Sequence, residues 1–371
     1  MNNPYLLLTP GPLSTTASVK QTMLRDWCTW DDDYNLGVVQ PIREQLVELA
    51  LCGEKECAAE EYSAVLLQGS GSFAVESVIS SAFSADDKLL ILANGAYGQR
   101  IADMARVHRI NYGLLTAAEH EWVSLKELNQ ALHDDPAITH VALVHCETTS
   151  GILNPLAAYA EVIKAAGKTL IVDAMSSFGG IEIPLAALGI DFLISSANKC
   201  IQGVPGMGFV IAKRDALAKC AGRARTLSLD LFDQWQCMEQ GHGKWRFTSP
   251  THVVRAFQQA LAELAEEGGI SARAQRYADN HRTLVDGMQA LGFECVVSRD
   301  KQSPFISTFK YPDNPAFDFN QLYQRLKQEG FVIYPGKVTA TPCFRIGHIG
   351  DVFPQDMQRL LQALEKHRFW L

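Results

Sequence analysis

The sequence lacks the marks of several protein classes. No uninterrupted apolar run approaches the roughly 18 residues that cross a bilayer. The first residues, Met1-Asn-Asn-Pro-Tyr-Leu-Leu-Leu-Thr-Pro, have neither a basic start nor a long apolar stretch. Neither a membrane span nor a secretory leader is expected. Nine cysteines are scattered, with no CxxC pair and no His/Cys group at zinc-ligand spacing. That favours reduced thiols in a cytoplasm over a disulfide framework, and no metal site is expected. Cations are in deficit, 33 Lys and Arg against 41 Asp and Glu, for a formal charge of −8. A broad nucleic-acid surface needs the opposite balance, so no nucleic-acid partner is expected. One or two arginines in a dry cleft still suffice for a small anion. There is no internal repeat and no low-complexity segment.

What is present reads as an ordinary globular chain, 47% hydrophobic and 20% charged. Its 371 residues are long for one core, so a large domain with a smaller one is the default. Between about residues 60 and 212, short apolar strands alternate with helical stretches. Strands are expected at 63–67, 88–92, 139–145, 169–173, 192–194 and 209–212, with a weaker one at 110–115. This order predicts an α/β fold, a mostly parallel sheet wrapped by helices. Helices are expected at 100–108 and 124–133, a polar loop over 233–244, and a long helix after Trp245. Residues 271–291 read as a helix joining two domains. Beyond them, strands at 294–297, 305–310, 331–334 and 343–346 mix with helices in a compact α+β unit. The expected division is an arm (1–16), a large domain (17–270) and a small C-terminal domain (271–371).

Polar residues gather at the carboxyl ends of the strands, where open α/β sheets bind ligands. The stretch Asp191-Phe-Leu-Ile-Ser-Ser-Ala-Asn-Lys199 runs an apolar strand into small polar residues and one lysine. A lysine held there either forms a Schiff base or is simply solvated. An earlier strand, Thr169-Leu-Ile-Val-Asp173, ends in a carboxylate. Pyridoxal phosphate (PLP) chemistry needs that pair, an amine to hold the aldehyde and a carboxylate to keep the pyridine nitrogen protonated. Gln68-Gly-Ser-Gly-Ser72 lies between a strand and a helix. Its free N–H groups and the positive helix end suit a phosphate, with Ser70 and Ser72 adding hydroxyls. It is not a Walker A motif, and Ala74 stands where a dinucleotide fingerprint needs a third glycine. Tyr97, between Gly95 and Gly98, either stacks on a flat ligand or is an ordinary loop residue. Thr148 and Thr149 either reach a ring substituent or serve a turn. Arg345 has apolar flanks, so it pairs with a carboxylate or binds an anion. In the Pro-Gly-Pro turn of the arm, Gly11 either pins a terminal strand or lets backbone approach a ligand.

Several stretches in order resemble the class V, fold-type I PLP-dependent aminotransferases. They are Leu7-Leu-Thr-Pro-Gly-Pro-Leu-Ser14, Trp27-Cys-Thr-Trp-Asp-Asp-Asp-Tyr34, Gly69-Ser-Gly-Ser-Phe-Ala-Val-Glu76, Asn94-Gly-Ala-Tyr-Gly-Gln-Arg100, His145-Cys-Glu-Thr-Thr-Ser-Gly151, Val172-Asp-Ala-Met-Ser-Ser177, Ser196-Ala-Asn-Lys199 and Phe344-Arg-Ile-Gly347. The resemblance implies a seven-stranded, mostly parallel sheet with a smaller C-terminal α+β domain, and PLP as cofactor. It implies that Lys199 holds the cofactor and then shuttles a proton, and that Asp173 pairs with the ring nitrogen. Ser70, Gly71 and Ser72 would hold the phosphate, Tyr97 would stack where relatives often carry tryptophan, and Thr148 would meet the ring oxygen. Asn198 matches a phosphate-side position, and Arg345 one that binds the substrate's acid group. Trp245 and Thr248 match positions that complete the neighbouring subunit's phosphate site, which implies a homodimer with shared active sites. The implied reaction moves the amino group of 2-aminoethylphosphonate to pyruvate, giving phosphonoacetaldehyde and L-alanine in phosphonate catabolism. Alanine or serine with glyoxylate is the alternative. Arg25 or residues 12–16 are candidates for a second group on the phosphonate. A desulfurase-like role would need a mobile cysteine, and only Cys343 is placed for it, in a stretch that reads as strand. A dinucleotide oxidoreductase built on Gly69–Ser72 and a binding protein without catalysis are the readings from other classes.

Overall fold

The computed structural model describes residues 4–53, 56–336, 338 and 341–371. The first three residues of the expected arm lie outside them. Seven strands form the main sheet: β1 (Tyr62–Gln68), β2 (Lys88–Ala93), β3 (Asn111–Thr116), β4 (Ile138–Val144), β5 (Thr169–Asp173), β6 (Phe192–Ser196) and β7 (Met207–Lys213). Their order across the sheet is β1-β7-β6-β5-β4-β2-β3. β7 is antiparallel to both β1 and β6, and the other neighbours are parallel. The sequence shows why this sheet is sandwiched. Strands such as Leu89-Leu-Ile-Leu92 and Leu170-Ile-Val172 are apolar on both faces and fully buried, the pattern of parallel strands covered on each side by helices. Only edge strand β3 is half exposed.

The chain crosses from edge strand β1 to β2 near the far edge, and there its direction reverses. From β2 the chain steps outward to β3, then returns past β2 to β4. The loops leaving β2 and β4 therefore diverge and open a crevice at their carboxyl ends, the place where such sheets bind ligands.

Three local expectations are corrected. The helix after β2 spans Ala96–Val107, so Tyr97 sits in its first turn, not in a loop before it. Residues 231–240 are helix Leu231–Gln240, not a loop. Asp230 caps it by accepting from Asp233 N at 3.0 Å, and Leu231, Trp235 and Met238 pack inward. The glutamines hid that apolar stripe. Residues 294–297 form no strand. Val296 N donates to Thr308 O and Lys310 N to Glu294 O, with one isolated bridge at Cys295, too little for a ladder.

Helices Thr251–Glu267 and Gly269–Ala290 meet at Gly268, whose φ of +108 a side chain would resist. The second leads to a three-stranded antiparallel sheet in which Cys343–Gly347 lies between Ile306–Lys310 and Tyr334–Pro335. The arm returns to this end, since Leu6–Leu7 pairs in parallel with Phe331–Val332. One apolar cluster runs from Val19 to Ile270, and a second gathers Leu8 with residues from Leu284 to Trp370. A small third cluster, including Cys146, Cys200, Tyr277 and Phe305, sits where the two meet. Among the described residues, no helix is long and apolar enough to cross a membrane.

Candidate active site

Strands β4, β5 and β6 deliver three polar groups to one place. Asp173 ends β5, Lys199 follows β6, and Cys146-Glu-Thr148 follows β4. Asp173, Lys199, Cys146 and Thr148 line a cavity of about 440 Å³, partly open to solvent, with Ser72, Tyr97, Arg100 and Met175. The Asp173 carboxylate is buried and accepts from Met175 N at 2.9 Å. Burial pushes its pKa up to about 6, and the charges of Lys199 and Arg100 pull the other way. Burial also pulls the Lys199 amine below its usual range, against the neighbouring Cys200, Cys146 and Asp173. Lys199 Nζ donates to Pro10 O at 2.6 Å. Gly11 stands beside it with φ +124, and a Cβ there would come within 2.9 Å of Nζ. Only glycine fits that turn, so the arm reaches the lysine because its sequence is Pro-Gly-Pro.

The loop after β1 meets helix Gly71–Ser81. Ser70 takes the extended N-cap conformation, but its hydroxyl makes no capping bond, so the positive helix end is left for an outside anion. Gly71 packs flat against Met175, and a Cβ would fall 2.3 Å from its Sδ. Tyr97 sits over the cavity from the start of helix Ala96–Val107.

That helix start is held by a residue to which sequence reasoning gave no role. Buried Glu147 accepts from Tyr97 N at 3.0 Å, Gly98 N at 3.3 Å and Thr149 Oγ1 at 2.8 Å. Burial raises its pKa to about 6, and those bonds oppose the rise. A lone Glu in a polar loop carries no signal of this. The contact also needs Gly95, since a Cβ there would lie 2.2 Å from the Glu147 side chain.

Arg345 occupies the middle strand of the C-terminal sheet and is buried. Its Nε donates to Pro335 O at 3.0 Å and its Nη1 to Thr148 O at 2.8 Å. Nη2 is buried without a partner among the described residues. Burial pulls the guanidinium below its ordinary pKa. No described carboxylate pairs with it, so the structural ion pair allowed by sequence is not formed. A buried cation with a free donor is costly until an anion arrives.

Other expected residues lie elsewhere. Asn198 is half-buried beside Lys199, with its carbonyl against Gly11. Trp245 and exposed Thr248 line a separate groove with Gln68, Gly69 and Phe73, not the Lys199 cavity of their own chain. Arg25 is spent at the surface on Asp33, 3.0 Å away, and on the Trp27 ring. Cys343 is buried within a strand, not carried on a mobile loop.

The sequence profile of the family Aminotransferase class-V matches residues 57–353. The chain belongs to the class V aminotransferases. A 2-aminoethylphosphonate–pyruvate transaminase of Vibrio cholerae is 58% identical over 370 residues, covering 100% of this chain and 99% of the relative. One from Bacteroides fragilis is 57% identical over 366 residues, 99% of each chain. Among solved structures, alanine–glyoxylate aminotransferase from Nostoc sp. matches with a TM-score of 0.87 at 26% identity, covering 99% of this chain and 96% of that one. Pyridoxamine–pyruvate aminotransferase from Mesorhizobium loti gives a TM-score of 0.87 at 25% identity, covering 98% and 92%.

For a class V aminotransferase the family implies PLP, and the cavity fits it. A buried carboxylate and a lysine amine share one space, a helix end there has no side-chain cap, and a ring lies over it.

Proposed function

We propose that this class V aminotransferase moves the amino group of 2-aminoethylphosphonate to pyruvate, releasing phosphonoacetaldehyde and L-alanine. The observation that carries the proposal is full-length identity of 57–58% to relatives of that name. The alternative donors, alanine or serine with glyoxylate, would use the same core site, and the likeness to the Nostoc enzyme is much lower at 26%.

Lys199, Asp173, Ser70, Gly71, Ser72, Tyr97, Thr148 and Asn198 are the residues proposed to hold PLP. Bound there, PLP supplies an aldehyde for the amine and a ring that accepts electrons from the carbon losing its proton. Lys199 would hold the aldehyde, and its Nζ, once free, would carry the proton at the nitrogen-bearing carbon. Burial suits it to that work, because a lowered pKa leaves more neutral amine near pH 7. Asp173 would keep the ring nitrogen protonated. Arg345, whose buried Nη2 is without a partner among the described residues, would take the substrate's acid group. The phosphonate lies one carbon further from nitrogen than alanine's carboxylate, so a second polar group beside Arg345 is part of the proposal.

The proposed assembly is a homodimer with shared sites, in which Trp245 and Thr248 complete the phosphate site of the neighbouring subunit. Their placement beside Gly69, in a groove flanked by exposed Phe73 and Phe247, supports this. Residues 17–270 and 271–371 are proposed as large and small domains, supported by their separate apolar clusters. Cys28, Cys146, Cys200, Cys220, Cys237 and Cys295 are free thiols, which fits a cytoplasmic enzyme.

The deciding experiment adds 2-aminoethylphosphonate to the PLP-loaded protein, follows loss of the near-visible absorption, then adds pyruvate and measures L-alanine. Both signals are expected, and both vanish in Lys199→Ala along with any borohydride-reducible adduct. Protein that takes up no PLP sinks the whole reading. Turnover of alanine with glyoxylate, without turnover of the phosphonate, sinks only the donor.

A further inference from the structure

We propose that Arg100 is a binding residue of this site, a cation for the cofactor's phosphate that also holds the Tyr97 ring in place. The inference rests on the cofactor reading above. Arg100 lies three residues after Tyr97 on helix Ala96–Val107, so the two share a face. Its guanidinium carbon is 4.8 Å from the Tyr97 ring centroid, and its Nη1 donates to Ser72 Oγ at 3.1 Å. It lines the same cavity as Lys199 and Asp173. One side chain thus links the ring-stacking helix to the loop at the start of helix Gly71–Ser81.

The electrostatics show what is missing. A guanidinium is held next to Ser72, in the first turn of a helix whose N-terminus is itself positive. A cation there is unfavourable, because it meets the helix dipole with the wrong sign. No carboxylate of the described residues forms an ion pair with Arg100 to relieve it. Its charge is instead felt across the cavity at Asp173. Both positive features are satisfied together if a dianion lies between them. The Ser72 hydroxyl accepts from Arg100, so its own proton remains to be donated to that anion. Arg100 is exposed, so its position comes from these contacts and not from packing. Its removal should therefore leave the fold intact.

The test compares PLP with pyridoxal, which lacks the phosphate, each titrated into cofactor-stripped wild-type, Arg100→Gln and Arg100→Lys proteins. Binding is read by fluorescence or absorbance. Arg100→Gln is expected to weaken PLP about 10- to 100-fold, the range of a lost charge-assisted hydrogen bond, and to weaken pyridoxal, which feels only the loosened Tyr97 ring, far less. Arg100→Lys should recover part of the loss. Phosphorus NMR of the bound cofactor should show a phosphate signal steady with pH in wild type and titrating in Arg100→Gln. Equal weakening of both ligands would mean that Arg100 acts only through the ring, and unchanged PLP affinity would mean that it does not touch the phosphate. Either result overturns the assignment while the cofactor reading stands. A wild type that binds no PLP overturns both.

Discussion

Burying the Asp173 carboxylate costs stability. Its pKa is raised from 3.8 to about 6 in the folded protein, so the fold binds its proton more tightly than the unfolded chain does. That contribution is fully present below about pH 4 and is lost as pH rises through 6. Replacing it by asparagine is expected to stabilise the cofactor-free protein by about 3 kcal/mol near pH 8, and by nothing below about pH 4. Urea denaturation across pH checks this, and the same variant should lose transamination. Glu147 is shifted in the same direction, so it adds to the wild-type decline without changing the Asp173 difference. Arg345→Lys makes a second test. Lysine cannot reach Pro335 O and Thr148 O and still present a donor inward. KM for pyruvate should rise about 10- to 100-fold, with kcat changed less, as steady-state kinetics would show.

At the scale of elements, the site depends on how two pieces of chain touch. Gly151 closes the polar loop after β4 with φ +90, and a Cβ there would lie 2.6 Å from the carbonyl oxygen of Ile306. Ile306 begins the strand whose Thr308 pairs with Arg345. Gly151→Ala must therefore strain the loop and push the strand that sets the arginine. At least about 2 kcal/mol of stability should be lost, with a higher KM for pyruvate. Gly189→Ala is the control, since its φ of +67 is similar but only the flexible Lys164 side chain is near. It should cost about 1 kcal/mol, with kinetics unchanged. Elements were legible in the sequence where apolar runs were strong, as in β2, β4 and β5. They were misread where local chemistry was mixed. Glutamines masked the stripe of Leu231–Gln240, and the apolar residues of 293–297 suggested a strand that pairs only in patches. The helix start at Ala96 was missed because what holds it is Glu147, remote in sequence.

For the whole molecule, the proposed shared site makes a prediction that no single chain can meet. Lys199→Ala and Trp245→Ala proteins should each be weak alone. Unfolded and refolded together, a mixed dimer carries one intact site, with Lys199 from one chain and Trp245 from the other. Activity should return to about a quarter of wild type, since about half the dimers are mixed and one of their two sites is whole. An additive mixture with no gain would exclude sharing.

The sequence by itself determined the layout. Apolar runs bounded by polar strand ends specify the sheet, and the order of its motifs specifies the family, because both are local or ordered properties of the chain. It also named Lys199, Asp173 and Arg345. Tertiary structure alone decided what each of them meets. It placed Pro10 against the lysine, gave Glu147 its hold on the Tyr97 turn, left Arg345 without a carboxylate and set Arg100 against Ser72. These are contacts between residues far apart in the chain. Burial and charge there depend on how the sheet's loops converge, and no spacing in the sequence encodes that.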